Sequence, residues 1–109
     1  MKITKDIQKQ INITMRELNI DRDSRNINHI RIHPTEGFKH FKLKCEACWD
    51  LYQENKPFLC EAFANNRKQK FDVVNLIDNE VVEIVIKSDT NREKIPAKVT
   101  KIYGTERDD

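Results

Sequence analysis

Asp72, Glu83 and Lys87 stand on two β-branched runs, KFDVVNLI (70–77) and EVVEIVIK (80–87). Two carboxylates and a lysine are the groups that hold a divalent cation and act on a phosphate: the carboxylates ligate Mg²⁺ or Mn²⁺, and the lysine orients water or offsets developing charge. A third acid, Glu61, interrupts the apolar run PFLCEAFA (57–64). Basic residues flank these segments, with Lys39, Lys42 and Lys44 before them and Arg67, Lys68 and Lys70 between them. The bland reading of the acids and lysine is an ion-paired patch at the rim of a sheet. The bland reading of the basic clusters is a solvated face.

Whether the acids meet depends on how the two runs pair. Asp78-Asn79 between them marks a hairpin, and a two-residue loop sets Ile77 against Glu80 and Asp72 against Val85. Side chains alternate along strands, so Asp72, Glu83, Val85 and Lys87 then share a face, with Glu83 and Lys87 diagonal to Asp72. A four-residue loop is expected to keep that facing, with Asp72 opposite Lys87, and a three-residue loop reverses it. Alternation places Phe71, Val73 and Ile77 on one side and Val74 and Leu76 on the other. Strands apolar on both faces are covered on both.

The elements that must position these groups follow from periodicity. Ile7, Ile11, Met15 and Leu18 define an amphipathic helix over 4–19, capped by Thr4 or Asp6. Residues 19–28 read as a polar loop, and Ile27, Ile30 and Ile32 as a short extended piece before His33-Pro34. Pro34-Thr35-Glu36 has the form of a helix start, and no breaker follows until Pro57. On that helix Phe38, Phe41, Cys45, Cys48, Trp49 and Tyr52 form the main stripe, with Leu43, Ala47 and Leu51 nearly opposite, so coverage on more than one side is expected. Runs 57–64, 70–77 and 80–87 read as strands and 65–70 as a basic turn. A short helix near 91–94 and a strand near 98–103 complete the chain. The fold expected is α+β, a helix packed on a small mixed sheet with a central hairpin, plus an N-terminal helix. The single domain divides into an N-terminal helix and extension (1–34), a core (35–103) and a frayed tail (104–109).

The segment CEAFANNRKQKFDVVNLIDNEVVEIVIKSDT (60–90) resembles the PD-(D/E)XK nuclease superfamily, in the style of small archaeal Holliday-junction resolvases and competence-protein-like nucleases. The resemblance spans roughly residues 36–88. It implies a restriction-endonuclease-like core, a helix on a mixed sheet, that cuts DNA with one or two Mg²⁺ or Mn²⁺ ions. Asp72 matches the motif aspartate, preceded by Phe71 where the motif has proline, and Lys87 matches the motif lysine. Val85 stands where the second acid belongs, so Glu83 must reach the metal from a shifted position or the site has lost an acid. The upstream helix, with Glu46 or Glu36, matches the helix that supplies a further acid. The resemblance thus assigns Asp72 and Glu83 to the metal, Lys87 to the attacking water, and Glu61 or Glu46 to completing the metal shell. Lys39, Arg67, Lys68 and Lys70 are assigned to backbone phosphates, which position DNA without reading sequence. A homodimer would give two sites for two strands. The rival expectations are a nuclease-fold protein that binds nucleic acid without cutting it, and a protein-interaction module.

The totals bound these readings. One hundred and nine residues make one domain with a modest core, and 20 basic against 18 acidic residues leave a net +2, too little to hold DNA by overall charge. A mean hydropathy of -0.77 requires a heavily charged surface. No stretch reaches the roughly 20 apolar residues of a membrane span. The start MKITKDIQKQ lacks a signal-peptide apolar region, so a cytoplasmic protein is expected. Three cysteines, Cys45, Cys48 and Cys60, fit a reducing compartment. The Cys45-x-x-Cys48 pair lies inside the helical stripe, where buried inert thiols outweigh a metal site with His33 or His40. Glu46 has a simple alternative as an i,i+4 partner of Lys42, and His40 as a surface or capping histidine that at most touches phosphate.

Overall fold

The computed structural model describes residues 1–86 and the strand 101–104. Two helices, α1 (Lys5–Glu17) and α2 (Phe38–Gln53), accompany four strands: β1 (Phe58–Ala64), β2 (Gln69–Asn75), β3 (Glu80–Val85) and β4 (Lys101–Gly104). The strands form one sheet in the order β1-β2-β3-β4, with β1–β2 and β2–β3 antiparallel and β3–β4 parallel. The fold is therefore α+β with a mixed sheet. Both faces of the sheet are covered, each by one helix.

The N-terminal helix forms for the reasons its spacing gives. Thr4 caps it, its Oγ1 accepting from the Ile7 N–H at 3.3 Å, and Asp6 favours the positive end of the helix dipole. Ile11, Met15 and Leu18 pack with Leu59, Ala62, Ala64, Phe71, Val74, Leu76 and Val81 in one apolar cluster. Buried Thr14 joins the helix to the sheet by donating from Oγ1 to the Leu76 carbonyl at 2.8 Å. The second helix begins later than Pro34-Thr35-Glu36 indicates. Those residues form a turn closed by the Glu36 N–H on the His33 carbonyl (2.9 Å), and the helix starts after Gly37. Ile30 and Ile32 belong to no strand and are exposed, so the extended piece expected there is absent among the described residues.

The inward stripe of α2 also differs from the expected one. Lys44, Ala47, Cys48 and Leu51 face the sheet, packing with Phe58, Cys60, Val73, Val82 and Ile84. Phe38, Trp49 and Tyr52 point outward instead. Helical periodicity ranked the stripe of Phe38, Phe41, Cys45, Cys48, Trp49 and Tyr52 first, and of that set only Cys48 is buried. The polar pair-forming residues Glu36, His40 and Lys44, four apart, select the weaker apolar set as the buried one.

The β2–β3 loop has four residues, 76–79, with Asn75 opposite Glu80. Asn75 fixes it: its Oδ1 accepts from the Ile77 and Asp78 N–H groups, both at 3.1 Å, and its Nδ2 donates to Asp78 at 3.0 Å. This register sets Asp72 level with Glu83, and not with Val85 or Lys87. The strand expected at 98–103 is matched in part by β4, whereas Lys87, the tail and the helix expected near 91–94 lie outside the described residues.

Simple alternation fails at one point in both β1 and β2. Leu59 and Ala62, three apart, join the α1 cluster, while Cys60 joins the α2 cluster; Phe71 and Val74, also three apart, join the α1 cluster, while Val73 joins the other. The register nevertheless continues unbroken on both sides, from Cys60↔Val73 to Ala62↔Phe71. Glu61 and Asp72 thus face one another at a paired irregularity. Glu61 has φ 55°, a left-handed conformation that a buried carboxylate-bearing residue adopts only when its surroundings hold it.

Candidate functional site

The acids gather between the start of α2 and the middle of the sheet, and they do not gather alone. Lys44, whose side chain is fully buried, donates from Nζ to Glu36 Oε1 at 2.7 Å and to Glu61 Oε2 at 3.2 Å. Lys70 Nζ donates to Glu61 Oε1 at 2.9 Å and to Asp72 Oδ1 at 3.4 Å. His40 lies between Glu36 Oε2, bonded to its Nδ1, and Asp72 Oδ2, 3.6 Å from its Nε2. The Ile84 N–H donates to Asp72 Oδ2 at 2.9 Å, so a side chain takes over a ladder position of β3. Glu36, Glu61 and Asp72 side chains are 2%, 6% and 6% exposed. Charges removed from water at this depth persist only when paired, and here they are.

Glu83 is the exception. It is half-buried beside Asp72, and its Oε1 is buried without a hydrogen-bond partner among the described residues. Burial and then the Asp72 charge raise its pKa from 4.5 to about 8. For Asp72 burial pulls the other way, but His40, Glu83, the Ile84 N–H and Lys70 outweigh it and hold the carboxyl well below the usual range. The shared proton of the pair therefore resides on Glu83, because Asp72 has the cationic and N–H partners. The Asp72 carboxylate, opposed by burial and helped by Glu36, raises His40 to about 9, so it is cationic at neutral pH. In Lys44, desolvation is outweighed by Glu36 and Glu61; in Lys70, by Glu61 and Asp72; both pKa values move up.

The residues marked out by sequence fall into three sets. Asp72, Glu83 and Glu61 are brought together. Glu46 is not: it is exposed on the outer side of α2, and the acid that the helix delivers is Glu36. The i,i+4 pair of Lys42 with Glu46 is also absent among the described ion pairs. Lys70 is half-buried and part of the network, paired with Glu61 and Asp72. Arg67 is tied down by an ion pair with Asp23 (3.1 Å), with its guanidinium 3.8 Å from the Phe63 ring centre, while Asp21 accepts from the Asn66 and Arg67 N–H groups at 2.9 and 2.8 Å. Lys39 and Lys68 remain exposed. His40 is no surface histidine, and Lys44, read from sequence only as part of a basic cluster, is the most deeply buried charged side chain among the described residues. Their signal was the i, i+4, i+8 spacing of Glu36, His40 and Lys44, in phase with Ala47 and Leu51.

Cys48 and Cys60 are buried, Cys45 is half-buried, and all three are free thiols. Cys60 Sγ accepts from the Arg31 N–H at 3.3 Å, and contact with Cys48 lowers its pKa while raising that of Cys48. Among the described residues no group of three or more His, Cys, Asp or Glu is arranged to hold a metal ion, and no helix is long and apolar enough to cross a membrane. Two carboxylates do adjoin, however, one of them with a buried oxygen lacking a partner among the described residues. Mg²⁺ is commonly held by one or two carboxylates, with waters and substrate phosphates filling its shell. The Asp72–Glu83 pair offers two such carboxylates, with Asp72 already bonded by Lys70 and the Ile84 N–H. No protein-family model, curated protein or solved structure matches the chain.

Proposed function

We propose that the chain is a metal-dependent nuclease that hydrolyses DNA phosphodiester bonds at the Asp72–Glu83 pair. The observation that carries this reading is the buried Glu83 Oε1, without a hydrogen-bond partner among the described residues, beside the Asp72 carboxylate. The resemblance to PD-(D/E)XK nucleases implies a helix on a mixed sheet, and α2 on a sheet with antiparallel β1–β3 and parallel β4 accords with a restriction-endonuclease-like core. Mg²⁺ or Mn²⁺ held by Asp72 and Glu83 would polarise the scissile phosphate and acidify water. The chain's own groups do the rest. Glu36, Lys44 and Glu61 fix the start of α2 against β1, and Glu61 fixes Lys70. Lys70 and His40 place positive charge beside Asp72, where a phosphate would gain negative charge in the transition state. Lys87 keeps the role of orienting water, and Lys39 and Lys68 those of contacting backbone phosphates.

A second reading has its own support. Asp72 is already bonded by Lys70 and the Ile84 N–H, and Val85 occupies the position of the motif's second acid. A nuclease fold with this network would bind nucleic acid and leave it intact. Labelled duplex, single-stranded, flap and junction DNA incubated with Mg²⁺, Mn²⁺ or EDTA separate the two. Metal-dependent cutting by wild type, reduced about a hundredfold or more in Asp72→Asn and Glu83→Gln variants that melt normally, supports catalysis. Retention of DNA without cutting supports the second reading. Undiminished cutting by both variants removes the site.

A further inference from the structure

The outer side of α2 carries aromatic residues that nothing among the described residues covers. Phe38 is 75% exposed, Trp49 55% and Tyr52 40%, and the Trp49 and Tyr52 rings stack with centroids 5.7 Å apart. Large apolar side chains exposed singly are ordinary, but three on one helical stripe mark an interaction surface. Their spacing is specific. Phe38, Cys45 and Tyr52 recur every seven residues, and Lys42 and Trp49 recur at the same interval alongside them. That is the seam of a helix made to pack lengthwise on another helix.

The charges along α2 point to which helix. Its first turn holds no acid and its last turn no base, so the usual complement to the helix dipole is missing at both ends. Lys42 lies in the first half and Glu46 in the second, the weaker order for an i,i+4 pair. A helix charged against its own dipole is completed by an antiparallel neighbour with the same layout. We infer that α2 docks on α2 of a second copy of this chain, antiparallel, about a two-fold axis at Cys45. Cys45 lies midway between Phe38 and Tyr52, so the two-fold sets Phe38 against the second copy's Tyr52 and Cys45 against Cys45. It also brings Lys42 over the second copy's Trp49, a cation–π contact made twice. The inference uses neither Asp72 nor Glu83 and stands apart from the nuclease reading.

Light scattering on the full chain tests it. The expected mass is twice 13.0 kDa, with Trp49→Glu and Phe38→Glu each weakening self-association about tenfold or more while circular dichroism stays unchanged. Diamide supplies a geometric check: it takes up the two thiol hydrogens as Cys45 joins Cys45, giving a covalent dimer in wild type and none in Cys45→Ser, since Cys48 and Cys60 are buried. A monomer at every concentration overturns the inference. So does a dimer that survives both glutamate variants, or one that cross-links without Cys45. If Trp49→Glu leaves the mass alone and abolishes DNA retardation, the stripe is a nucleic-acid surface and the inference falls.

Discussion

The two faces of the sheet solve the burial problem differently. Toward α1 the sheet presents Leu59, Ala62, Ala64, Phe71, Val74, Leu76 and Val81, and the helix answers with Ile11, Met15 and Leu18. One hydroxyl, Thr14, is buried there, and it is bonded to a sheet carbonyl. Toward α2 an apolar patch of Val73, Val82 and Ile84 gives way to a seam of Glu36, His40, Lys44, Glu61, Lys70, Asp72 and Glu83. The first face is held by area removed from water, which is non-directional. The second depends on each charge having its partner, and costs stability wherever one does not. A protein concerned only with stability gains little from the second arrangement, because well-packed apolar residues of similar volume serve as well. The charged seam is therefore where function is to be sought.

The largest expected effects come from removing one member of each face. Lys44→Met leaves Glu36 and Glu61 buried without their shared cation and should lose about 3–5 kcal/mol in urea unfolding. Phe71→Ala on the α1 face should lose a similar amount, about 3–5 kcal/mol, by leaving a cavity. The two losses separate with pH. As pH falls, protonation of Glu36 removes an uncompensated charge and the Lys44→Met deficit shrinks. The Phe71→Ala deficit persists. Equal pH dependence of the two variants would erase the distinction between the faces.

A smaller effect concerns the pH profile of the wild type. His40 is raised from 6.5 to about 9, so its contribution to stability is complete below 6.5 and is lost as pH climbs through 9. Glu83 is an acid with a raised folded value, from 4.5 to about 8; the folded state binds the extra proton, and stability falls as pH rises across that window. Thermal melting should thus decline between neutral and mildly alkaline pH. His40→Gln should flatten the upper part of the decline. Glu83→Gln should match wild type at acid pH and exceed it at pH 8. A flat wild-type profile would contradict the placement of both groups. The smallest effect is reserved for Glu46→Ala, which should change stability by no more than about 0.5 kcal/mol and leave any cleavage intact.

Much of this was legible in the residues. Thr4 with Ile7, Ile11 and Met15 specified α1, and the β-branched runs specified the hairpin. The joint presence of Asp72 and Glu83 on one face also followed from strand reasoning, whereas alternation alone did not choose the face of Glu61. The register did not, because Asp78-Asn79 look like a complete turn, whereas Asn75 folds back on Ile77 and Asp78 and lengthens the loop. Alternation misplaced Phe71 relative to Val73 because it presumes regular strands, and the pattern breaks between them, where the left-handed Glu61 lies opposite Asp72. Lys44 was overlooked because a lysine is expected at the surface. The pairing of its ammonium with Glu36, two turns earlier, and Glu61, on β1, makes burial possible.

Calorimetric titration of Mn²⁺ into the wild-type chain and into Glu83→Gln puts the Asp72–Glu83 assignment to its most direct test. The wild type should bind the ion with measurable heat, and the variant, isosteric but unable to carry the charge, should lose that heat while melting as a folded protein. A wild type that takes up no Mn²⁺, or a variant that takes it up equally well, would mean that the seam is a structural ion network and that the unpartnered oxygen of Glu83 awaits no cation.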